Sequence, residues 1–437
     1  MNPDPSQLAK APDGEPDGGG VRKSGHRGLR ITLLVFGGLF LALLVVTAAI
    51  IHVQSADVTQ DQQQLDPFYA VEADQIAGVP GSIVRSEPLA VKLTDVSAFR
   101  VVYRTRSSEG TPRVSGAMIL VPTPKPPADG RKIVAWAHPT LGMGDACAPS
   151  RSADTLLDMG FAQEMINNGW VITATDYAGV GTQGTGRYLV GQDEANDVAF
   201  SVAMAHNFPA ADTSKTWAVY GHSQGGHSAL WTGELGESIL PDFKLVGTAA
   251  VAPAAELEPL IAQQWDKPAQ WSIGPDFIVG WSSKYPNLPL NGILTDQGSA
   301  NYQSLSQDCI VEAALEGHTR AEFGQSLFTK NPLDDPAWSK IAQEQTPPPM
   351  RPAMPTFIVQ GTGDTLVLPN TQAELSERWC RAGSDLSMLW LDGASHLSAQ
   401  SLSGTAVSQW IQARFDGRPA SSTCGLNLPV KPYGSNR

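Results

Sequence analysis

The sequence predicts an α/β fold with a mostly parallel central sheet, and three observations support this prediction. Short, nearly continuous apolar runs recur along the chain, as is typical of strands buried on both faces of a sheet. Helix-compatible stretches lie between these runs, and that alternation is typical of parallel sheets. A long segment, residues 257–345, interrupts the alternation before it resumes. We therefore expect one α/β domain that carries an insertion.

The predicted strands form two groups. FRVVYRT (99–105) and VSGAMILVP (114–122) are rich in β-branched residues and flank the turn-prone SSEGTP, which predicts a hairpin. The predicted buried strands follow at IVAWAH (133–138), GWVITATDYAG (169–179), TWAVYGHS (216–223), LVGTAAVAP (245–253) and TFIVQG (356–361). Helices are predicted at 154–169 and 193–207. The core of the domain is thus expected to span residues 66–256 and 346–437.

The insertion at 257–345 is rich in aromatic residues. They are Trp265, Trp271, Phe277, Trp281, Tyr285, Phe323 and Phe328. Two interpretations fit this composition: a helical lid or cap whose rings meet an apolar substrate, or a subdomain that packs the rings into its own core. For any single ring we favour packing in the core.

The N-terminal part of the chain predicts a membrane anchor. Residues 1–30 combine Pro, Gly and charge without periodicity, which predicts a disordered tail. Residues 31–52 contain no charged side chain and have the length needed to cross a bilayer. Basic residues precede this segment and none follows until Arg85, so the tail is expected in the cytoplasm and the rest outside it. A Gln-rich and Asp-rich stalk follows at 53–65. Secretion after cleavage of a signal peptide is the alternative.

The charge and the cysteines limit the possible functions. The formal net charge of -13 argues against a nucleic-acid partner, because phosphate binding needs clustered Lys and Arg. The four cysteines all lie on the side expected to be exported, which allows two disulfides in any of three pairings. They are Cys147, Cys309, Cys380 and Cys424. Because CxxC and HxxxH spacings are absent from the sequence, we expect neither a zinc site nor another metal or cofactor.

The motif Gly221-His222-Ser223-Gln224-Gly225 is the central functional signal. An apolar strand, WAVY, leads into it and the helix-compatible HSALWTGEL leaves it, as a nucleophile elbow requires. The flanking glycines allow a sharp turn that projects the Ser223 hydroxyl from the edge of the sheet. The N–H of Gln224 opens the following helix and is therefore a candidate donor to an oxyanion.

A serine nucleophile needs a base, and the base needs an acid that orients it. In hydrolases of this fold the order along the chain is Ser, then Asp or Glu, then His. We predict His396, in the loop LDGASHLS, as the base rather than His227 or His318. We predict Asp364, at the end of the strand TFIVQG, as the acid; the alternatives are Asp385 and Asp392.

A second oxyanion donor is expected from the loop AHPTLGMGD (137–145), which follows an early strand. Pro139 has no N–H and cannot donate. Thr140 can donate through its backbone or its hydroxyl, and we predict it as the second donor. His138 either supports this loop or has a purely structural role.

From Asp66 to Cys424 the sequence resembles the secretory lipase family, the lipase A-like branch of the α/β-hydrolases. The resemblance is carried by DPFY, PGSIVRSEPL, AHPTLGMGDACAPS, TDYAGVGTQG, YGHSQGGHSAL, VQGTGDTLV and GASH. It implies an α/β-hydrolase fold with catalytic Ser223, Asp364 and His396 and oxyanion donors Thr140 and Gln224. It also implies that Cys147 pairs with Cys309 and Cys380 with Cys424, and that the insertion is a lid over an acyl-binding tunnel. Pro139 departs from the family, which commonly has glycine there.

The expected activity is hydrolysis of acyl esters, including those of lipids, without a cofactor. Acyl transfer to another acceptor and short-chain esterase activity are alternatives that use the same triad. A non-catalytic adhesion protein with this fold is a further alternative, which the presence of all three candidate triad residues disfavours. The expected partners are an acyl ester or lipid and, through the anchor, the cell membrane.

Overall fold

The computed structural model describes residues 62–152 and 161–435. The chain divides into two compact units, Met1–Gln64 and Leu65–Arg437, and all elements named below belong to the second. The predicted membrane segment at 31–52 lies outside the described residues, as do the tail and nearly all of the stalk. Among the residues that are described, no helix is both long and apolar enough to cross a bilayer.

The described part of the chain contains a nine-stranded, mostly parallel sheet, which confirms the predicted fold class. The strands are β1 (Ile83–Leu89), β2 (Val96–Arg106), β3 (Pro112–Pro122), β4 (Arg131–Ala137), β5 (Val171–Thr175), β6 (Thr213–His222), β7 (Lys244–Val251), β8 (Thr356–Gly361) and β9 (Leu386–Leu391). Their order is β1-β2-β3-β5-β4-β6-β7-β8-β9. The pairings from β5 through β4 to β9 are parallel, whereas β1, β2 and β3 pair antiparallel.

The central strands are mostly apolar because both faces of the sheet are covered. In β4, Ile133 and Ala135 belong to one core and Val134 and Trp136 to the other, as the alternation of side chains in a strand requires. The helices are α1 (Ala73–Ile76), α2 (Ala162–Asn167), α3 (Gly191–Asn207), α4 (Gln224–Ile239), α5 (Leu257–Gln264), α6 (Ala269–Ser272), α7 (Gly274–Lys284), α8 (Asp296–Leu305), α9 (Ile310–Glu322), α10 (Pro336–Gln345), α11 (Pro369–Arg381) and α12 (His396–Phe415). Helices α3 and α4 cover one face, and α2 and α12 cover the other.

Residues 257–345 connect β7 to β8 and contain the six helices α5 to α10. Most of their aromatic side chains pack in a third core, as favoured from the sequence. Trp271, Trp281 and Trp338 are completely buried there. Phe323 is the exception, since 80% of its surface is exposed.

Two disulfides tie loops and helix ends together. Cys147, in a short 3₁₀ turn after β4, is joined to Cys309 at the start of α9, and Cys380 in α11 is joined to Cys424 near the C-terminus. This is the pairing that the family resemblance implies. The first bond fixes the insertion to the loop that carries Thr140.

The structure corrects two details of the strand prediction. The run 169–179 is a strand only as far as Thr175, because Asp176 turns towards Ser150 and Tyr177 has a positive φ of 64°. Strand β1 was not predicted. Its sequence, IVRSEPL, mixes charged and apolar residues because β1 is at the edge of the sheet.

Candidate active site

Ser223 lies at the sharp bend between β6 and α4, as the motif predicts. Its backbone has φ 57° and ψ -117°, a strained conformation for a residue with a side chain. Glycine is required on both sides of this bend. A Cβ on Gly221 would collide with the carbonyl of Gly225, and a Cβ on Gly225 would collide with the carbonyl of Ala137. The glycines therefore let the end of β4 approach the start of α4.

His396 and Asp364 are in direct contact. Nδ1 of His396 lies 2.7 Å from Oδ2 of Asp364, and both side chains are buried. The second carboxylate oxygen, Oδ1, accepts 2.9 Å hydrogen bonds from the backbone N–H groups of Leu366 and Val367. The carboxylate is thus held in place by hydrogen-bonding groups on both oxygens, one of which is the imidazole.

His396 is the first residue of helix α12, rather than part of the preceding loop as expected from the sequence. Ser395 caps this helix, and the reciprocal hydrogen bonds of Ser395 and Ser398 form a capping box. The local sequence ASHLS contains this signal. The base candidate is therefore attached to a rigid element and not to a mobile loop.

The alternative histidines and acids are engaged elsewhere. His227 is completely buried, and its two ring nitrogens contact Glu194 and the carbonyl of Gln345. His318 is exposed on α9 beside Glu322. Asp392 is exposed and accepts a hydrogen bond from Thr362. Asp385 precedes β9 and lies beside the start of β8, at the opposite end of these strands from Asp364 and His396.

His222, the residue before the serine, was not predicted to contribute to the site. Its Nε2 donates to the backbone carbonyl of His396 over 3.1 Å, and the two rings lie 4.6 Å apart. Burial, with a smaller contribution from the neighbouring His396, lowers the pKa of His222 to about 3. His222 is therefore neutral and helps to fix the position of His396.

Both predicted oxyanion donors are available. Within residues 62–152 and 161–435, the N–H groups of Thr140 and Gln224 have no hydrogen-bond acceptor. The hydroxyl of Thr140 contacts the hydroxyl of Tyr188 at 2.6 Å. Both ring nitrogens of His138 contact backbone carbonyls, those of Pro139 and Asp176, so His138 supports the loop.

The side chain of Glu194 joins several residues around the bend at Ser223, and this role was also not predicted from the sequence. Oε1 accepts hydrogen bonds from the side chain of Gln224 and the N–H of Leu189, at 2.8 and 3.0 Å. Oε2 accepts from Ser228 and contacts His227, at 2.7 and 3.0 Å. Glu194 lies in the polar first turn of α3, beside Asp193 and Asn196, so its sequence context does not distinguish it from an acid that only interacts with the helix N-terminus.

A cavity of about 670 Å³ is lined by residues of this site and by residues of the insertion. Ser223, His222, His396, Thr140 and Tyr188 line it together with mostly apolar side chains of the insertion. The apolar lining includes Leu257, Leu260, Ile261, Trp265, Phe277 and Phe328. Among the described residues no hydrogen bond joins the Ser223 hydroxyl to His396, although both face the same cavity.

Comparisons with known proteins agree with this architecture. A sequence model of the secretory lipase family matches residues 147–423. Lipase 10 of Candida albicans is 24% identical over 82% of both chains, and a probable inactive lipase of Mycobacterium tuberculosis is 22% identical over 81% of this chain and 82% of its own. The X-ray structure of Candida antarctica lipase A in its closed state shares the fold, with a TM-score of 0.67, 18% identity and coverage of 84% of this chain and 89% of that one.

Proposed function

Because the chain belongs to the secretory lipase family and is a serine ester hydrolase, we propose that Ser223, His396 and Asp364 are its nucleophile, general base and orienting acid. The observation that carries the proposal is the 2.7 Å contact between His396 Nδ1 and a buried, doubly anchored Asp364, on the wall of the cavity that Ser223 also lines. With its proton on Nδ1, the imidazole has a free lone pair on Nε2 to accept the serine proton.

Acylation follows from this arrangement. The Ser223 oxygen bonds to the ester carbonyl carbon while its proton passes to Nε2 of His396. The carbonyl oxygen becomes an oxyanion and is stabilised by the N–H groups of Thr140 and Gln224. The bond to the alcohol oxygen then breaks, and the alcohol leaves with the proton from His396.

Deacylation reverses the roles with water in place of the alcohol. His396 takes one proton of the water as its oxygen bonds to the acyl carbon. The second oxyanion collapses, the bond to Ser223 breaks, and the proton returns from His396 to the serine. The products are one carboxylic acid and one alcohol for each ester consumed, and no cofactor takes part.

An apolar acyl chain is the substrate group that the cavity favours. Its walls come mostly from residues 257–345, which we propose act as the lid or cap over the acyl-binding site. Acylglycerols are the proposed substrates, in keeping with the lipases to which the chain is similar. Rates for dissolved and emulsified esters of increasing acyl length distinguish a lipase from a short-chain esterase, and rates with added alcohols measure acyl transfer.

We further propose that the hydrolase domain acts outside the cytoplasm. The charge-free residues 31–52 and the basic residues before them support an uncleaved anchor with a cytoplasmic tail at 1–30 and a stalk at 53–65. Secretion after cleavage is the alternative. Labelling of intact cells, compared with the culture medium, separates the two locations.

Ser223→Ala tests the catalytic proposal. We expect the purified full-length variant to lose turnover of p-nitrophenyl esters by at least about 10³-fold, because no nucleophile remains, with little change in melting temperature. Ser403→Ala is the matched control. Ser403 is completely buried on α12, the helix that His396 begins, but it is not part of the cavity wall.

Undiminished activity of Ser223→Ala would remove the nucleophile assignment. An unmodified protein without activity on any ester would instead favour the non-catalytic alternative; one protein to which the chain is similar is itself a probable inactive lipase.

A further inference from the structure

Thr140 and Tyr188 form an isolated pair of hydroxyl groups at the wall of the catalytic cavity. Their oxygens lie 2.6 Å apart, and both residues line the cavity together with Ser223. Among residues 62–152 and 161–435, neither hydroxyl has another hydrogen-bond partner. Among the described residues, the two hydroxyls therefore form a hydrogen bond with each other and with no third group.

The number of protons in this pair matters for catalysis. Two hydroxyls carry two protons, and the hydrogen bond between them uses one. The other proton has no acceptor among the described residues and is available to a group inside the cavity. Burial raises the pKa of Tyr188 well above its usual range, and nearby Asp276 raises it further. Tyr188 therefore keeps its proton at any pH at which the enzyme is assayed.

The backbone around Tyr188 is held firmly. Gly280 of α7 packs so closely that a Cβ there would collide with the backbone of Tyr188. The next residue, Leu189, donates its N–H to Glu194 Oε1, the same oxygen that accepts from the side chain of Gln224. One buried carboxylate thus ties the segment that carries Tyr188 to the residue that supplies an oxyanion N–H.

We propose that Tyr188 is a positioning residue for the oxyanion hole: its hydroxyl donates to Thr140 Oγ1 and turns the Thr140 proton towards the substrate oxyanion. Thr140 then supplies two donors, its N–H and its O–H, and the site has three in all. This inference rests on the proposed function, because it concerns the same tetrahedral intermediate.

The hydroxyl donor and the tyrosine ring have separable roles. The ring forms part of the apolar wall and packs in the core of the insertion. Tyr188→Phe keeps that ring and removes only the hydroxyl. Thr140→Val keeps the shape of the threonine and its N–H, and Thr140→Ser keeps the hydroxyl. These three variants isolate the donor without opening the cavity.

The experiment measures kcat and KM for a p-nitrophenyl ester and the inhibition constant of an alkyl trifluoromethyl ketone, which forms an oxyanion on the serine. Thr140→Val should lower kcat by about 10- to 100-fold and weaken the ketone by a similar factor, with KM changed by less than about 3-fold. Thr140→Ser should recover most of the activity. Tyr188→Phe should lower kcat by about 3- to 10-fold, because the threonine hydroxyl is then free to rotate.

The double variant Thr140→Val/Tyr188→Phe should be no slower than Thr140→Val alone, because Tyr188 acts only through Thr140. Tyr302→Phe, in another cavity, is the matched control and should leave kcat unchanged. Unchanged kcat in Tyr188→Phe, losses that add in the double variant, or losses in KM and melting temperature alone would each overturn the inference. If Thr140→Val does not fold, Tyr188→Phe and Thr140→Ser still decide it.

The failure of this inference is distinguishable from the failure of the proposed function. Ser223→Ala tests the proposed function, whereas the hydroxyl variants test only the third donor. An inactive Ser223→Ala together with a fully active Tyr188→Phe would leave the serine hydrolase intact and remove the role of Tyr188.

Discussion

The sheet and the insertion contribute different things to the same cavity. The groups proposed for catalysis lie where strands end: Thr140 after β4, Ser223 after β6, Asp364 after β8 and His396 after β9. The insertion contributes apolar walls, built on a core of packed tryptophans and phenylalanines. Under the proposed function, chemistry and substrate fit belong to separate parts of the chain, so a mutation in one is expected to have a limited effect on the other.

The two regions also differ in how they hold buried acids. In the sheet domain, Asp364 and Glu194 each accept several hydrogen bonds. In the insertion, the Asp276 carboxyl on α7 is buried, and no hydrogen bond reaches it from the residues that the structure describes. Buried carboxylates need such donors to remain ionised. Hydrogen bonds thus hold these two acids of the sheet domain in place, whereas burial without such bonds disfavours the charged form of Asp276.

The largest effect is expected from Asp364→Asn, which replaces one carboxylate oxygen in the sheet domain with an NH2 group. The asparagine amide is able to donate to Nδ1 of His396, which moves the histidine proton to Nε2 and leaves no base for Ser223. We expect kcat to fall by about 10³- to 10⁴-fold. The ratio of rates for long and short acyl chains should stay constant, because the insertion is unchanged. Steady-state kinetics on a series of p-nitrophenyl esters measure both quantities.

Asp392→Asn is the matched control, because Asp392 is an exposed acid only four residues before His396. It should keep nearly full activity. Equal losses in the two variants would mean that Asp364 is not the orienting acid.

The next effect is expected from the insertion. Phe328 lines the cavity and stacks on Phe277, with ring centroids 6.0 Å apart. Phe328→Ala should enlarge the acyl site and raise the preference for long over short chains by about 3- to 10-fold, the range expected for a change in an apolar pocket. The measurement is the ratio of kcat/KM across acyl lengths.

Phe357→Ala controls for the loss of a buried ring. Phe357 packs on Trp410 in the sheet core and is not part of the cavity wall. Both variants should lose stability, by about 3 to 5 kcal/mol for a fully buried ring. An altered chain-length preference in both, or in neither, would contradict the division of roles between sheet and insertion.

Most of the fold and the proposed triad were predictable from the sequence because their signals are local. Buried strands are apolar along their length, and the elbow needs glycines around Ser223. The order of strands then places Asp364 and His396. Local signals fail where a role depends on a distant partner. Tyr188 and Glu194 contact residues that lie 48 and 30 positions away in the sequence, Thr140 and Gln224, and the role proposed for Tyr188 depends on its contact.

The edge of the sheet shows the same limit. Strand β1 carries Arg85, Ser86 and Glu87, so its composition resembles that of a loop. It is a strand because β2 pairs with it along one side, and the sequence of β1 alone does not contain that information. Edge strands tolerate charge because one side faces solvent.

The smallest effect is expected at Asp276 and appears only as a function of pH. Burial raises the pKa of Asp276 well above its usual value, and Asp308 raises it further. A group whose pKa is raised on folding stabilises the protein fully at low pH, and this contribution is lost as pH rises from about 4 through the raised pKa. Asp276→Asn cannot ionise and should escape that loss. We therefore expect its melting temperature, relative to the unmodified protein, to improve by a few degrees between pH 4.5 and pH 8. Asp266→Asn, at an exposed position in the same insertion, should show no such pH-dependent gain. A gain of equal size at both pH values would indicate better packing instead of the removal of a buried charge.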